Sequence, residues 1–438
     1  MASTSFDGLA RFARALVDAR FDSSDAVFWG AVLLGITCGV LGSFIVLRRQ
    51  SLLGDAIGHA VLPGVCIGFL AAGSRHPLAL LAGAMVAGLA SAGLISLLQR
   101  TTRLKTGECM GVVFTGFYAI GVVLLKIIEQ RGGGGKAGLS KFLFGQIAGI
   151  GTADVVAMAV VAALTLGTVV LFWRILKTSS FDEGFAHALG WNVALIQHGM
   201  TVLLTAVIVV AIQAVGVVLV AAMLVTPAAA AYLWTDRLHR MVAISAVIGV
   251  VAGVGGAVVS VADEALPTGA MMVLCAAGLF AVSFLLSPRH GVLPRLARVW
   301  RRRRRTSAEN LLRTMYLLME RRGGSDRRFG VSDIAGVRQE HPATVQRMAR
   351  LATSLGWIER DSRDPLVLSE AGLAEARRIV RNHRLWELFL TREANLAADH
   401  VHADAERIEH VLPADVVRKL EAMLEHPSAD PHGRQIPT

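Results

Sequence analysis

The sequence predicts an all-α polytopic membrane domain of about nine transmembrane helices, followed by a winged helix-turn-helix and a second, helical soluble module. Three observations predict it. Long apolar runs follow one another up to residue 287; hydrophobic residues make up 54% of the 438, and mean hydropathy is +0.54. The composition then breaks to a charged, Arg-rich chain with ordinary amphipathic periods. In that second part, helical patterns lead into a hairpin pattern.

Residues 6–20 read as a short amphipathic helix at the membrane surface within an N-terminal segment 1–25, and no cleavable signal peptide is evident. A span needs about 20 mostly apolar residues. Candidates lie near 26–47, 55–73, 77–98, 107–128, 153–175, 194–213, 216–234, 241–262 and 269–287. Arg48-Arg49, Arg100 to Lys105, Arg174 to Lys177, Arg237 to Arg240 and the run Arg301 to Arg305 then share one side, which the positive-inside rule makes cytoplasmic. The N-terminus lies outside and the C-terminus inside. Arg11, Arg14, Arg20, Arg131, Lys136 and Lys141 oppose this bias. Merging the weak sixth and seventh runs would move the N-terminus but not the C-terminus.

Gly35 and Gly39, Gly64 and Gly68, and Gly253, Gly255 and Gly256 suit close helix packing. Thr226-Pro227 interrupts the seventh run. The four cysteines lie in apolar runs without C-x-x-C spacing, which argues against a disulfide framework or a thiolate zinc site. Gly132 to Ala137 is not a phosphate loop. The glycine required five residues before Gly135 is Gln130, and Ala137 replaces the Ser or Thr that holds magnesium. With no other nucleotide loop, ATP-driven activity would need a separate subunit.

Asp55 and His59 stand four residues apart in the second run, so they share a helix face and offer an oxygen and a nitrogen to a divalent first-row metal. A carboxylate in a span costs about 2.5 to 3.5 kcal/mol and normally faces a pathway or a partner. The plainer reading makes Asp55 an interfacial N-cap and His59 a hydrogen-bonding neighbour of another helix. Phe181 to Gly190 reads as a short helix between two spans, with Asp182 and Glu183 at its start, Phe185, Ala186 and Leu189 on one side, and Gly190 as C-cap. It is either a docking element or an ordinary connector.

Residues 289–305 form a polybasic linker. The run Arg301 to Arg305 accounts for much of the net charge of +11 and suits anionic lipid beside a span, with DNA as the lesser reading. Residues 306–380 read as the winged helix-turn-helix. Ser307 to Arg321 is its first helix, Val331 to Val337 a short helix, His341 to Gly356 the recognition helix, and Trp357 to Leu368 the wing. Thr344, Gln346, Arg347 and Arg350 are DNA-binding candidates, although such a fold also serves as a protein contact. In 381–438, His383 and Glu387 are i, i+4; Glu406, Glu409 and His410 share a face, with His402 just before them.

The stretches Leu47 to Gly64, Phe181 to Gly190 and Gln213 to Pro227 together resemble the membrane permease of metal-ion ABC importers for manganese, zinc or iron, over nearly all of 26–288. The resemblance implies that Asp55 and His59 form a metal site on the translocation path. It implies that Phe181 to Gly190 seats on an ABC ATPase subunit. The expected partners are that ATPase, an extracytoplasmic metal-binding protein and a second permease chain, identical or related, in a bacterial-type inner membrane.

His383-Arg-Leu-x-Glu387, Val401-His402, Glu406-x-x-Glu409-His410 and Glu425 to Pro431 resemble the diphtheria-toxin-repressor family of iron- and manganese-responsive regulators, over roughly 306–436. That likeness makes 381–438 a metal-binding and dimerisation module. It makes His383, Glu387, His402, Glu406, Glu409 and His410 metal ligands divided between two nearby sites. The family's further ligand on the first helix matches Asn310 or Arg313, a neutral amide and a cation, so that ligand is expected to be lost here.

The expected function is therefore a metal importer permease with a fused cytoplasmic metal-sensing module. The metal, Mn, Fe or Zn, is both cargo and regulatory ligand. The alternative is a membrane-tethered, metal-dependent DNA-binding regulator. An intramembrane enzyme is disfavoured, since no His-Glu-x-x-His and no nucleophile–base set is present.

Overall fold

The computed structural model describes residues 23–73, 77–130, 151–262, 266–324, 326–360, 365–394, 396, 401, 408, 410 and 412–437. The N-terminal amphipathic pattern at 6–20, the loop Gly132 to Ala137, and His402, Glu406 and Glu409 lie outside these residues. The chain divides into two compact units, Met1–Pro294 and Arg295–Thr438.

The first unit is helical: α1 (Ser23–Leu47), α2 (Ser51–Ala60), α3 (Leu62–Ala72), α4 (Pro77–Thr101), α5 (Thr106–Gln130), α6 (Thr152–Leu171), α7 (Trp173–Phe181), α8 (Glu183–Ala188), α9 (Val193–Val215), α10 (Val217–Trp234), α11 (Leu238–Ala262) and α12 (Thr268–Leu286). Among the described residues eight helical stretches are long and apolar enough to cross a membrane, and a shorter apolar one, Val220–Trp234, brings the apolar helices to nine. This is a multi-pass membrane protein.

One boundary and one expected break differ from expectation. The second span is Ser51–Ala72, four residues earlier than the pattern gave; Pro63, at the start of α3, divides it into α2 and α3. The seventh run is not broken at Pro227, which sits inside α10. The boundary expected between the sixth and seventh runs falls at Gly216, whose φ of +88° separates α9 from α10. An L side chain rarely adopts that backbone, whereas a proline in a helix is tolerated where neighbours satisfy the freed carbonyl.

Small residues do bring helices together. A methyl on Gly64 would run into the carbonyl of Gly83 on α4, and one on Gly35 into the backbone of Gly249 on α11. Ser245 donates to the carbonyl of Gly39 at 2.7 Å. With lipid outside, such backbone-to-backbone contact supplies the packing that apolar exclusion cannot. The core centres on α1, α2, α9 and α10 through Phe44, Ile57, Ile208 and Leu224. Beyond α12, Asp236 of the α10–α11 turn meets Arg289, and its Oδ1 lies 3.2 Å from the His290 ring.

The second unit starts on α13 (Val292–Arg321). The helix expected from Ser307 thus begins 15 residues earlier and takes in the polybasic stretch, since arginine is a good helix former and no glycine or proline follows Pro294 until Gly323. Next come β1 (Arg328–Phe329), α14 (Val331–Arg338), α15 (Pro342–Ser354), β2 (Ile358–Arg360), β3 (Leu366–Leu368), α16 (Glu370–Arg392) and α17 (Ala414–Met423). The wing is antiparallel, with Ile358 opposite Leu368. A third strand, β1, pairs on the far side of β3; two residues leave no period for a pattern to catch. His341 caps α15 by accepting from the Ala343 amide at 3.2 Å. The apolar core gathers Leu311, Met315, Ile334, Val345, Ile358, Leu366 and Leu373. Helix α16 crosses residue 380 unbroken. Its Arg384, only 2% exposed, is held bidentately by Glu320 of α13 at 2.7 and 2.9 Å and lies 3.6 Å from Asp430. A buried cation persists only with such partners.

Candidate metal sites

In the membrane unit, Asp55 and His59 occupy successive turns of α2, with His59 Nε2 3.4 Å from Asp55 Oδ1. Gln50, not Asp55, holds the N-cap position, so Asp55 is not a cap. The other side of His59 meets aromatic rings of α5: Phe114 at 4.8 Å and Tyr118 at 5.1 Å between centroids, both edge-on. His59 Nδ1 is buried and has no hydrogen-bond partner among the described residues. The His59 side chain is 13% exposed and that of Asp55 42%. Two donors, one of them open to the surroundings, can start a coordination shell but cannot complete one. The sequence pattern carried no sign of the wall made by Phe114 and Tyr118, which comes from another helix.

A cavity of about 190 Å³ lies nearby among α1, α2, α4 and α9, lined by Arg48, Gln50, Gln99, Gln197, His198 and Thr201 among others. Neither Asp55 nor His59 lines it, so it is not the candidate site itself.

Phe181 to Gly190 is not one helix. Phe181 ends α7; Asp182 then caps α8 by accepting from the Phe185 amide at 2.8 Å, and Gly190 closes the turn with φ +80°. Phe181, Phe185 and Leu189 are exposed while Ala186 is buried. Glu183 accepts from Gln197 of α9 at 2.8 Å. Arg48, just past α1, donates to Ser179 and Ser180 of α7 at 2.9 and 3.1 Å. Burial lowers the Arg48 pKa from its ordinary value, against an opposing pull from Glu183.

In the second unit, His383 and Glu387 are buried on α16, 3.0 Å apart. Arg313 of α13 brings its guanidinium 3.3 Å from the same His383 Nε2. A metal ion between His383 and Glu387 would have to displace that cation or bear its repulsion. His410 stands against α13 differently. Its Nδ1 is 2.8 Å from Glu309 Oε2 and its Nε2 is 2.7 Å from Asn310 Oδ1. The ring thus has an oxygen against each nitrogen, Asn310 within hydrogen-bond reach and Glu309 at ion-pair distance. Burial raises the Glu309 pKa, but hydrogen bonds and charge from His410 and Arg305 outweigh it and leave the carboxyl below its ordinary value.

The first helix nevertheless contacts a candidate ligand of the module. Asn310 does face a candidate ligand, and Glu309, beside it in the sequence, reaches the same ring. A carboxylate on one nitrogen of a ligand histidine fixes the tautomer and the ring orientation. Among the described residues no group of three or more His, Cys, Asp or Glu could hold a metal. Of the DNA-binding candidates, all on α15, Arg347 and Arg350 are exposed and Thr344 and Gln346 half-buried.

Comparison with known proteins agrees with both units. Residues 21–287 match the ABC 3 transport family, and residues 369–438 match the iron dependent repressor metal binding and dimerisation domain. The chain is 34% identical over 402 residues to the manganese transport system membrane protein MntC of Bacillus subtilis, covering 91% of each chain. It is 43% identical over 281 residues to the zinc transport system membrane protein TroC of Treponema pallidum, covering 64% of this chain and 92% of that one. Among solved structures, PsaBC from Streptococcus pneumoniae in complex with Fab is 34% identical, with a TM-score of 0.55, covering 64% of this chain and 97% of that one. Matched over well over half its length, and by a relative alike almost end to end, the chain belongs to the ABC 3 transport family and carries a repressor-like metal-binding module behind its membrane unit.

Proposed function

We propose that the membrane unit passes a divalent first-row metal ion inward, with Asp55 and His59 as the cargo's ligands on the path. One observation carries this: a carboxylate and an imidazole share a helix face inside a span, with a buried ring nitrogen that has no hydrogen-bond partner among the described residues. Oxygen and nitrogen donors without sulfur suit Mn(II), Fe(II) and Zn(II). The relatives named for manganese and zinc support those two, and the match to an iron dependent repressor domain adds iron. The open side of Asp55 supports a permease dimer, in which a second α2 across a two-fold axis supplies the missing donors. The exposed Phe181, Phe185 and Leu189 are the seat of an ABC ATPase subunit, which performs the hydrolysis for which this chain has no phosphate loop. An extracytoplasmic metal-binding protein delivers the ion. The second unit lies in the cytoplasm.

The test is uptake of radioactive manganese by proteoliposomes holding the whole transporter. Asp55→Ala is expected to abolish uptake while the ATPase still co-purifies; normal uptake at limiting metal refutes the assignment.

The second unit, on this reading, senses cytoplasmic metal through His410 and its neighbours and acts on transport. Exposed Arg347 and Arg350 on α15 favour one competing role, binding to DNA. Fluorescence anisotropy with duplex DNA, with and without manganese, separates the two.

A further inference from the structure

The first half of α13 has no place in the transport reading, yet it has a defined surface. Only five residues separate it from the end of α12, the last apolar helix. From Val292 to Ala308 the sequence has seven arginines and no acidic residue. At about 100° per residue, Leu296, Ala297, Val299 and Trp300 fall within one arc, and Arg295, Arg298, Arg301, Arg302 and Arg305 fall within the opposite arc. Leu296, Val299 and Trp300 are all exposed. A shallow depression runs among Leu296, Ala297, Val299, Trp300 and Arg303. Arg304 lays its guanidinium 3.4 Å over the Trp300 ring.

We propose that residues 295–304 of α13 form an amphipathic helix that binds the surface of a bilayer containing anionic lipid, with Leu296, Val299 and Trp300 inserted and the arginines on the headgroups. Charge complementarity and closeness in sequence to a membrane-spanning helix identify the occupant. Duplex nucleic acid would use the arginines but leave the apolar arc in water; an anionic bilayer surface accounts for both arcs at once. Tryptophan suits the interface because its ring is apolar and its N–H polar. Arg303 and Arg304 fall inside the apolar arc, among Leu296, Val299 and Trp300, and reach out to the headgroups along their stems.

The test uses the full chain in nanodiscs of phosphatidylcholine, with or without phosphatidylglycerol. Amide hydrogen exchange is followed over 295–304. Exchange is expected to slow by at least about thirtyfold in the anionic discs, the contribution of two arginines near a charged surface. Arg301→Gln/Arg302→Gln should remove that thirtyfold, and Trp300→Glu should reduce the protection left at high salt. Exchange at one rate in both discs overturns the proposal. So does slowing by duplex DNA in neutral discs with none from phosphatidylglycerol, which would reassign the helix to nucleic acid.

Discussion

His59 has one nitrogen toward Asp55 and the other buried without a hydrogen-bond partner among the described residues, while Phe114 and Tyr118 wall the ring. A buried polar atom left unsatisfied costs about 1 to 3 kcal/mol. A ligand that appears only during transport is a reason to keep such an atom. His59→Ala should therefore abolish uptake without loss of assembly, as for Asp55→Ala, and His59→Phe, which keeps the packing, should do the same. Uptake by the phenylalanine variant would reduce the ring to a packing element. The second unit offers a parallel test at Glu309. In an Asp55→Ala/His59→Ala background, which leaves only the module to titrate, Glu309→Gln should weaken manganese binding about 10- to 100-fold, the usual effect of losing a carboxylate behind a ligand histidine. Calorimetry with an unchanged affinity would remove Glu309 from the site. The pair Asp55 and His59 was legible because helical spacing alone puts i and i+4 on one face. Glu309 was not, because it reaches His410 across 101 residues of sequence.

Elements were read best where a long apolar period set them and worst where a single residue set their ends. The spans emerged from hydropathy, and the helix–helix–wing order of the second unit from its amphipathic periods. The gap between the sixth and seventh runs was legible, but Pro227 was taken for a break because composition cannot reveal that the helix continues through it. Phe181 to Gly190 looked like one helix because periodicity does not register the Asp182 cap that splits it into α7 and α8. That split matters for coupling. Helix α8 is tied to α9 through Glu183 and Gln197, while Arg48 ties α7 to the end of α1. Force applied at the exposed apolar side chains thus has two routes into the spans. Leu189→Asp places a charge where the ATPase would bury it, an unpaired desolvation of several kcal/mol, and should lower co-purification of the ATPase. Gln197→Ala should leave co-purification intact and reduce metal uptake per ATP hydrolysed. An undiminished yield of complex with Leu189→Asp would place the ATPase contact elsewhere.

At the scale of the whole molecule, a permease and a metal-binding module share one chain, and that fusion constrains what the module can do. A repressor freed from the membrane would search DNA by diffusion; the repressor-like module of this chain follows the last span through α13. In the proposed permease dimer, tethering would instead raise the effective concentration of two modules for each other. Metal-driven pairing of the modules could then favour one transport state, provided the metal binds the two states with different affinity, because equal affinity shifts nothing. The expected result is feedback, with cytoplasmic manganese slowing its own import. Proteoliposomes loaded with internal manganese would be assayed with the full chain, with a chain ending after Arg305, and with Glu406→Ala/Glu409→Ala. Because α13 continues to Arg321, the truncation removes the buried half of that helix and keeps the seven arginines from Arg295 to Arg305; the double alanine variant tests metal binding with the whole module retained. Internal manganese should slow the full chain and spare the other two. Equal slowing of all three, or of none, would refute feedback and leave the exposed Arg347 and Arg350 of α15 to be tested on DNA.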